Sequence, residues 1–421
     1  MLQYIQDNKG FCTSTIVNSD VPLKIGIIDA DLLDHGTKHP NLALLKISGF
    51  CKSITLQNEQ KHDVRLICSY DEISDVQSTI QEYDFIAISQ VFKFTKRPEF
   101  LDYLIERQLV YYGGTGFFEV NGPNLPDEVE HYMPDYSLYL EFIEKQTGGD
   151  PAKIKRDFND YINFSIGFTT RGCIRQCGFC VNRLLNRVVK WSPIEEFLDP
   201  SRPAIYLWDD NIMAAPPKVF KEVMDSLQAT NKPFQFRQGM DIRLMTEEKA
   251  ELLANVKYHG DYIFAFDHYR LDIPEEKKQV DHTIRGLEIW RRHCKKSTKL
   301  YVLVAYDSQD EKDIEGAFFR IKTLMEYGCL PYIMRFEKYH ESKYKSLYVQ
   351  LARWCNQPSF FKKKSFRQYC EANEEYHMKH NPNATKNCSC FQAMIDFEKE
   401  HPEIAEKYFD LRYEDLNKYK K

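Results

Sequence analysis

Apolar and polar positions along this chain fall into two successive series. Short apolar runs bounded by turn residues predict strands at 23–29, 63–68, 84–91 and 109–112, and Asn41 to Phe50 carries apolar residues at helical spacing, with Gly49 near its end. Strands separated by helical stretches imply a parallel sheet of doubly wound type. The second series places apolar runs at 164–169, 204–208, 234–239, 262–267, 299–306 and 330–336. Two helical patterns stand out within it: Ser192-Pro193-Ile194, a serine cap with proline at the first helical position, and Thr246 to Ala254, with Glu247, Glu248 and Lys249 outward. Between the two series Pro123, Pro126, Pro134, Gly148, Gly149 and Pro151 crowd a single stretch and mark a linker. The expected organisation is α/β: a Rossmann-like domain at 1–121, a linker at 122–157, a second strand–helix domain at 158–340 and a mostly helical extension at 341–421.

Composition narrows the class. A chain of 421 residues has room for two or three substantial cores. With 43% hydrophobic and 28% charged residues it reads as an ordinary globular protein. No apolar run approaches a membrane span, and the first residues lack the basic-then-apolar order of a secretory signal, so a cytoplasmic protein without a membrane partner is expected. Twelve cysteines in such a chain argue against a disulfide framework. The net charge of −5 gives no global attraction to nucleic acid, so a partner of that kind would need a local basic patch.

The chemistry concentrates in Thr170-Arg171-Gly172-Cys173-Ile174-Arg175-Gln176-Cys177-Gly178-Phe179-Cys180, where three cysteines stand at the spacing C-x3-C-x2-C just beyond the apolar run at 164–169. Open sheets and barrels carry their chemistry on loops at the C-terminal ends of strands. Clustered thiolates are soft ligands suited to an iron–sulfur cluster or zinc; three of them leave one position of a four-iron cluster open. The alternatives are three core cysteines or half a zinc site, and Arg175, Gln176 and Gly178 fit an apolar core segment poorly.

This loop resembles the signature of the radical SAM superfamily, including the aromatic residue before the third cysteine. The resemblance implies a 4Fe-4S cluster on Cys173, Cys177 and Cys180, S-adenosylmethionine (SAM) on the open iron, and a 5′-deoxyadenosyl radical that abstracts hydrogen from an unactivated C–H bond. It further implies a partial (β/α)6 TIM-type barrel over 158–340 and an electron donor such as flavodoxin or ferredoxin. Phe179 would lie near the adenine. Asp209-Asp210-Asn211 resembles the D-D-N segment of one branch, with Asp209 and Asp210 placed to receive the amino group of the bound methionine. Gly239-Met240-Asp241-Ile242-Arg243 resembles the G-x-D-x-R segment, which makes Arg243 and Asp241 candidates; a structural ion pair is the alternative. Asp267 stands where the family carries an acid at a strand tip. The N-terminal series is similar to the cobalamin-binding-like domain of that branch, and Pro134-Asp135-Tyr136 to its connector. The D-x-H-x-x-G cobalamin motif is missing, since Asp34-His35-Gly36 has a different order. The reading is therefore a domain that kept the fold and lacks the corrinoid, with cobalamin-dependent methyl transfer as the rival chemistry. His35 and His39 read as loop residues, and Gly113 to Gly116 as a turn or a phosphate cradle.

Beyond residue 340 the resemblance ends. From Arg335 to Arg367 basic residues interleave with aromatics, among them Lys362, Lys363 and Lys364 with Tyr348, Trp354, Phe361 and Phe366. This suits either a nucleic-acid surface, with a nucleic acid or nucleotide as substrate, or amphipathic helices with aromatic cores and solvated lysines. A non-catalytic, metal-containing nucleic-acid-binding protein is the rival from another class. Cys355, Cys370, Cys388 and Cys390 are candidates for an auxiliary site, either a second iron–sulfur cluster or zinc, with His377 and His380 as alternative ligands.

Overall fold

The computed structural model describes residues 6–7, 10–11, 13–107, 109–118, 122–182 and 185–419. The chain forms two compact units, Met1–Asp210 and Asn211–Lys421.

In the first unit β1 (Lys24–Asp29), β2 (Asp63–Leu66), β3 (Phe85–Ser89) and β4 (Tyr111–Gly113) make a parallel sheet in the order β2-β1-β3-β4. Ile25 faces Val64 on one side and Phe85 on the other. Both faces of the sheet are covered, which is why these strands read as unbroken apolar runs. Ile25 and Ile27 pack with Leu44, Ile47 and Phe142 on one face; Ile28, Ile86 and Ile88 pack with Leu101 and Leu104 on the other. The helix Leu42–Ser53 is capped by the Asn41 side chain and runs straight through Gly49. That glycine does not end the helix. A Cβ there would strike the carbonyl of Met133, so the bare Cα admits a neighbouring backbone. The proline- and glycine-rich stretch is largely helical, with Asp127–Glu130, Leu140–Thr147 and Pro151–Asp157. Its Val129, Leu138, Phe142 and Ile143 belong to the core against the sheet.

The same unit continues with β5 (Phe164–Gly167), the antiparallel ribbon β6 (Thr170–Arg171) and β7 (Val189–Lys190), and β8 (Ala204–Leu207), which lies parallel to β5. The helix expected after Ser192 is a single 3-10 turn, Ile194–Glu196. Ser192 does not cap it, because Pro193 holds the cap position; the Ser192 N–H donates to the Phe168 carbonyl at 3.3 Å.

The second unit holds β9 (Phe234–Phe236), β10 (Met240–Asp241), β11 (Tyr262–Ala265), β12 (Thr298–Val304) and β13 (Leu330–Arg335). β10 to β13 form a parallel sheet in chain order. The run predicted as one strand at 234–239 breaks after Phe236 and resumes as β10, which passes into a 3-10 turn at Ile242–Leu244. Thr246 caps Glu247–Ala254 as its position suggested. Helices Pro274–His293 and Glu311–Glu326 connect the later strands. The C-terminal helices Lys345–Cys355, Phe366–His380 and Ser389–Glu400 follow. The second of these is fixed at its start by a reciprocal Ser365–Gln368 capping box. Tyr348, Trp354, Phe361 and Phe366 are fully buried here, while Lys362 and Lys363 face solvent. Among the described residues no helix is long and apolar enough to cross a membrane.

Candidate functional site

The cysteine loop leaves the end of β5 and is pinched at its base by the β6–β7 ribbon. Gly172 opens it at φ +94, and a Cβ there would run into the Arg187 carbonyl, so only glycine lets the two ends of the loop close together. Cys173 N–H donates to the Leu185 carbonyl at 3.1 Å, and Cys180 N–H to the Cys177 carbonyl at 3.1 Å. All three thiols are half-buried and none is in a disulfide. Backbone N–H groups are already aimed at two of the sulfurs: Arg175 donates to Cys173 Sγ at 3.3 Å and Asn182 to Cys180 Sγ at 3.4 Å. Such donors stabilise thiolate and tune iron–sulfur clusters. Phe179 is half-buried on the same loop.

The two aspartates after β8 hold this loop in place. Asp209, 2% exposed, accepts four hydrogen bonds: from Thr169 N–H at 3.1 Å and its hydroxyl at 2.5 Å, and from Thr170 N–H at 2.6 Å and its hydroxyl at 2.7 Å. Burial pushes its carboxyl upward and these bonds oppose the shift. Expected to face a ligand amino group, Asp209 instead has its oxygens fully engaged at the loop entrance. Asp210 accepts Gly172 N–H at 2.7 Å and Asn182 Nδ2 at 2.8 Å, and pairs with Arg171 at 3.4 Å. It therefore ties the start of the loop to its far side. Arg171 also lies over the Phe168 ring at 4.1 Å. Asn182 escaped the sequence reading, because nothing in the C-x3-C-x2-C spacing marks the residue that closes the loop behind it.

The donor chemistry of this loop fits an iron–sulfur cluster: three soft ligands, half-shielded, with hydrogen bonds to sulfur. Among the described residues no three His, Cys, Asp or Glu side chains already stand around a common point as metal ligands. Metal binding characteristically supplies that last closure, since site formation and binding are coupled.

Arg243 and Asp267 belong to the second unit. The Arg243 guanidinium is bidentate to Asp241 (2.7 and 3.1 Å) and reaches His268 Nε2 at 2.7 Å and Gln279 at 3.1 Å. His268 in turn meets Glu276 at 2.8 Å. This is the structural ion pair weighed as the alternative, extended into a chain of four charged or titratable groups. Asp267, half-buried after β11, accepts Leu303 N–H at 3.4 Å. Burial raises its carboxyl, and Arg320, then Arg243, pull it back. Arg320 is fully buried and donates to the carbonyls of Gly316, Asp267 and Leu303, bracing the ends of β11 and β12.

At the β1/β3 switch point of the first sheet, where doubly wound folds bind ligands, the Asp31 carboxylate accepts Val91 N–H (2.6 Å), Phe92 N–H (3.2 Å) and the Thr95 hydroxyl (2.5 Å), tying the helix Ala30–His35 to the loop after β3. A cavity of about 650 Å³ opens to one side, beyond β1 and β2, lined by Leu32, His35, Lys38, Ser69, Tyr70 and Phe158 among others. His35 ends a helix and contacts Thr95 at 3.2 Å; His39 pairs with Asp160.

Of the C-terminal cysteines, Cys370 and Cys390 are buried with their sulfurs 3.3 Å apart, and Cys388 is half-buried beside them. The Cys370 thiol is driven up by burial and then by Cys390 and Cys388. Cys355 stands apart from this group, its thiol raised by burial alone. His377 turns to the Lys386 carbonyl at 3.3 Å, and His380 bonds the Tyr376 carbonyl and stacks on the Tyr376 ring.

No protein-family model and no curated protein matches the chain. Solved structures resemble it, among them two of one enzyme. One is the cobalamin-dependent S-adenosylmethionine radical enzyme OxsB with aqua-cobalamin bound (12% identity, 75% of this chain and 49% of that chain, TM-score 0.32). The other is the apo, SeMet-labelled form of OxsB (13% identity, 78% and 55%, TM-score 0.31). The chain spans about half the length of these structures. Both are radical SAM enzymes, the superfamily whose signature the cysteine loop resembles. At this degree of similarity the functional reading rests on the residues themselves.

Proposed function

We propose that this chain is a radical SAM enzyme of a reducing, cytoplasmic setting. The observation that carries the proposal is the Cys173–Cys177–Cys180 loop: three half-buried thiols at the family spacing, none in a disulfide, with backbone N–H groups directed at two sulfurs. Such a loop holds a 4Fe-4S cluster with one iron open to SAM. Once bound, and given one electron from a flavodoxin or ferredoxin, that cofactor pair would supply reductive cleavage of SAM and hydrogen abstraction from substrate. In this reading the parallel strands from Phe164 to Arg335 belong to a partial (β/α)6 barrel. The chain's own residues divide the work. The three cysteines ligate, Asp209 and Asp210 fix the two ends of the loop, and Phe179 offers a ring to the adenine. Asp267, and Arg243 with its Asp241–His268 chain, are the polar groups available to the methionine and ribose.

Nucleic acid or a nucleotide is the substrate class to test first. Of the aromatics between 332 and 366, Phe360 and Tyr332 are the exposed ones, at 38% and 37%, so base stacking would fall to them.

The test is anaerobic reconstitution with iron and sulfide, followed by iron analysis, EPR of the reduced protein with and without SAM, and chromatography for 5′-deoxyadenosine. Iron uptake, a signal perturbed by SAM, and reductive SAM cleavage, all absent in Cys177→Ala, support the proposal. A reconstituted protein that binds no iron, or whose signal ignores SAM, refutes it.

A further inference from the structure

The C-terminal cysteines present a second set of donors, and the geometry distinguishes between the two metals their residue types allow. Cys370 and Glu374 lie one turn apart on the helix Phe366–His380. Cys388 caps the helix Ser389–Glu400, and Cys390 sits in its first turn. The Glu374 carboxylate accepts Cys388 N–H through Oε2 at 2.7 Å. Its other oxygen, Oε1, is buried without any hydrogen-bond partner. A buried carboxylate oxygen left unpaired is costly, and it points to a cation that completes the site.

We propose that Cys370, Cys388, Cys390 and Glu374 form a mononuclear zinc site that ties these two helices together. The 3.3 Å contact between the Cys370 and Cys390 sulfurs decides against a four-iron cluster. Thiolates on one tetrahedral zinc, with Zn–S bonds of about 2.3 Å, stand about 3.8 Å apart, a small adjustment from contact. Thiolates on different irons of a four-iron cluster point outward from its corners and cannot touch. Cys355 takes no part. On binding, the three thiols release three protons to solvent and the carboxylate enters ionised. The Cys388 thiolate is further favoured by its place at a helix N-terminus. The donors do not yet surround one point, and Cys388, the half-buried member, has the most room to close on the metal. This inference is independent of the loop at Cys173.

The test is titration of the reduced, full-length protein with cobalt(II) under anaerobic conditions, then with zinc. Expected are about one equivalent bound, the visible absorption of a tetrahedral thiolate site, and displacement by zinc. The absorption should vanish in Cys390→Ser and in Cys388→Ser, whose half-buried position at the helix start disturbs the core less than Cys390 does. It should be retained in Cys177→Ala and weaken at least about 10-fold in affinity in Glu374→Gln. The site is refuted by absent tetrahedral absorption or by absorption that survives Cys388→Ser. It is equally refuted by about four extra irons lost in Cys388→Ser, or by a Cys370–Cys390 disulfide with no metal.

Discussion

The clamp at the mouth of the cysteine loop can be tested by removing Asp209. Its carboxylate accepts two backbone N–H groups and two hydroxyls from Thr169 and Thr170, at 2.5 to 3.1 Å, with 2% of its surface exposed. In Asp209→Ala the hydroxyls can rotate toward other acceptors, but both N–H groups are left buried and unpaired. At about 1–3 kcal/mol for each stranded donor, the gross loss is about 2–6 kcal/mol. Removing the charge returns part of this, because burial already raises the Asp209 carboxyl. A net destabilisation of about 2–4 kcal/mol is expected. Asp209→Asn keeps one acceptor oxygen and should fall at about 1–3 kcal/mol. The assay is denaturant unfolding of the metal-free protein, paired with iron content and EPR after reconstitution. Asp225→Ala serves as control. Asp225 pairs with Lys221 on an exposed helical face, and its loss should cost under about 0.5 kcal/mol. Both Asp209 variants should take up less iron, the alanine variant least, since the loop entrance loses its anchor. An Asp209→Ala protein with unchanged midpoint and full iron content would refute the clamp. A stabilised Asp209→Asn would show that the desolvated charge outweighs its bonds.

Three further outcomes are expected. Gly172→Ala should lower iron incorporation several-fold with little change in helical content, as its Cβ meets the Arg187 carbonyl and its φ of +94 disfavours any side chain; reconstitution alongside circular dichroism checks this. Asp29, buried at the end of β1 and accepting the Tyr139 hydroxyl at 2.8 Å, has its carboxyl raised to about 6 by desolvation. The folded chain then binds more protons than the unfolded one between the ordinary carboxylate value and about 6, so stability falls as pH rises across that window and is flat above it. Asp29→Asn carries no such proton, and its stability relative to the parent should rise by about 2 kcal/mol between about pH 4 and pH 7 in urea unfolding; a constant difference would contradict the assignment. Arg320→Met strips the donor shared by the Gly316, Asp267 and Leu303 carbonyls and should destabilise by at least about 3 kcal/mol in urea unfolding; a parental midpoint would show that those carbonyls need no cation.

What the sequence disclosed and what it withheld follow from the range of the interactions involved. The strands of the first sheet were legible because both of its faces are covered, leaving runs such as Ile25 to Ile28 and Phe85 to Ile88 unmistakably apolar. The candidate loop was legible because ligand spacing is local: three thiols on eight consecutive residues need no fold to be noticed. Helix ends were less so. Gly49 reads as a terminator in sequence, yet it serves a contact with Met133, 84 residues away, that no local rule contains. The same limit applied to the acids. Asp209 and Asp210 carry the polarity of ligand-facing groups, but their partners, Thr169, Thr170, Gly172 and Asn182, lie some 30 to 40 residues earlier.

The two roles open to these acids call for different probes. If Asp209 and Asp210 fasten the loop, substituting them alters cluster uptake and the affinity for SAM together, since both depend on one loop geometry. If either acid met the SAM amino group directly, iron content would stay at the parental level and SAM binding alone would weaken. Asp210→Asn separates the two. It keeps an acceptor for Gly172 N–H and loses the charge opposite Arg171, 3.4 Å away. A fastening role predicts a loop that still loads iron, at a level intermediate between the parent and Asp209→Ala, with SAM perturbing the EPR signal in proportion to the iron bound. Full iron loading with no SAM perturbation would place Asp210 at the ligand instead.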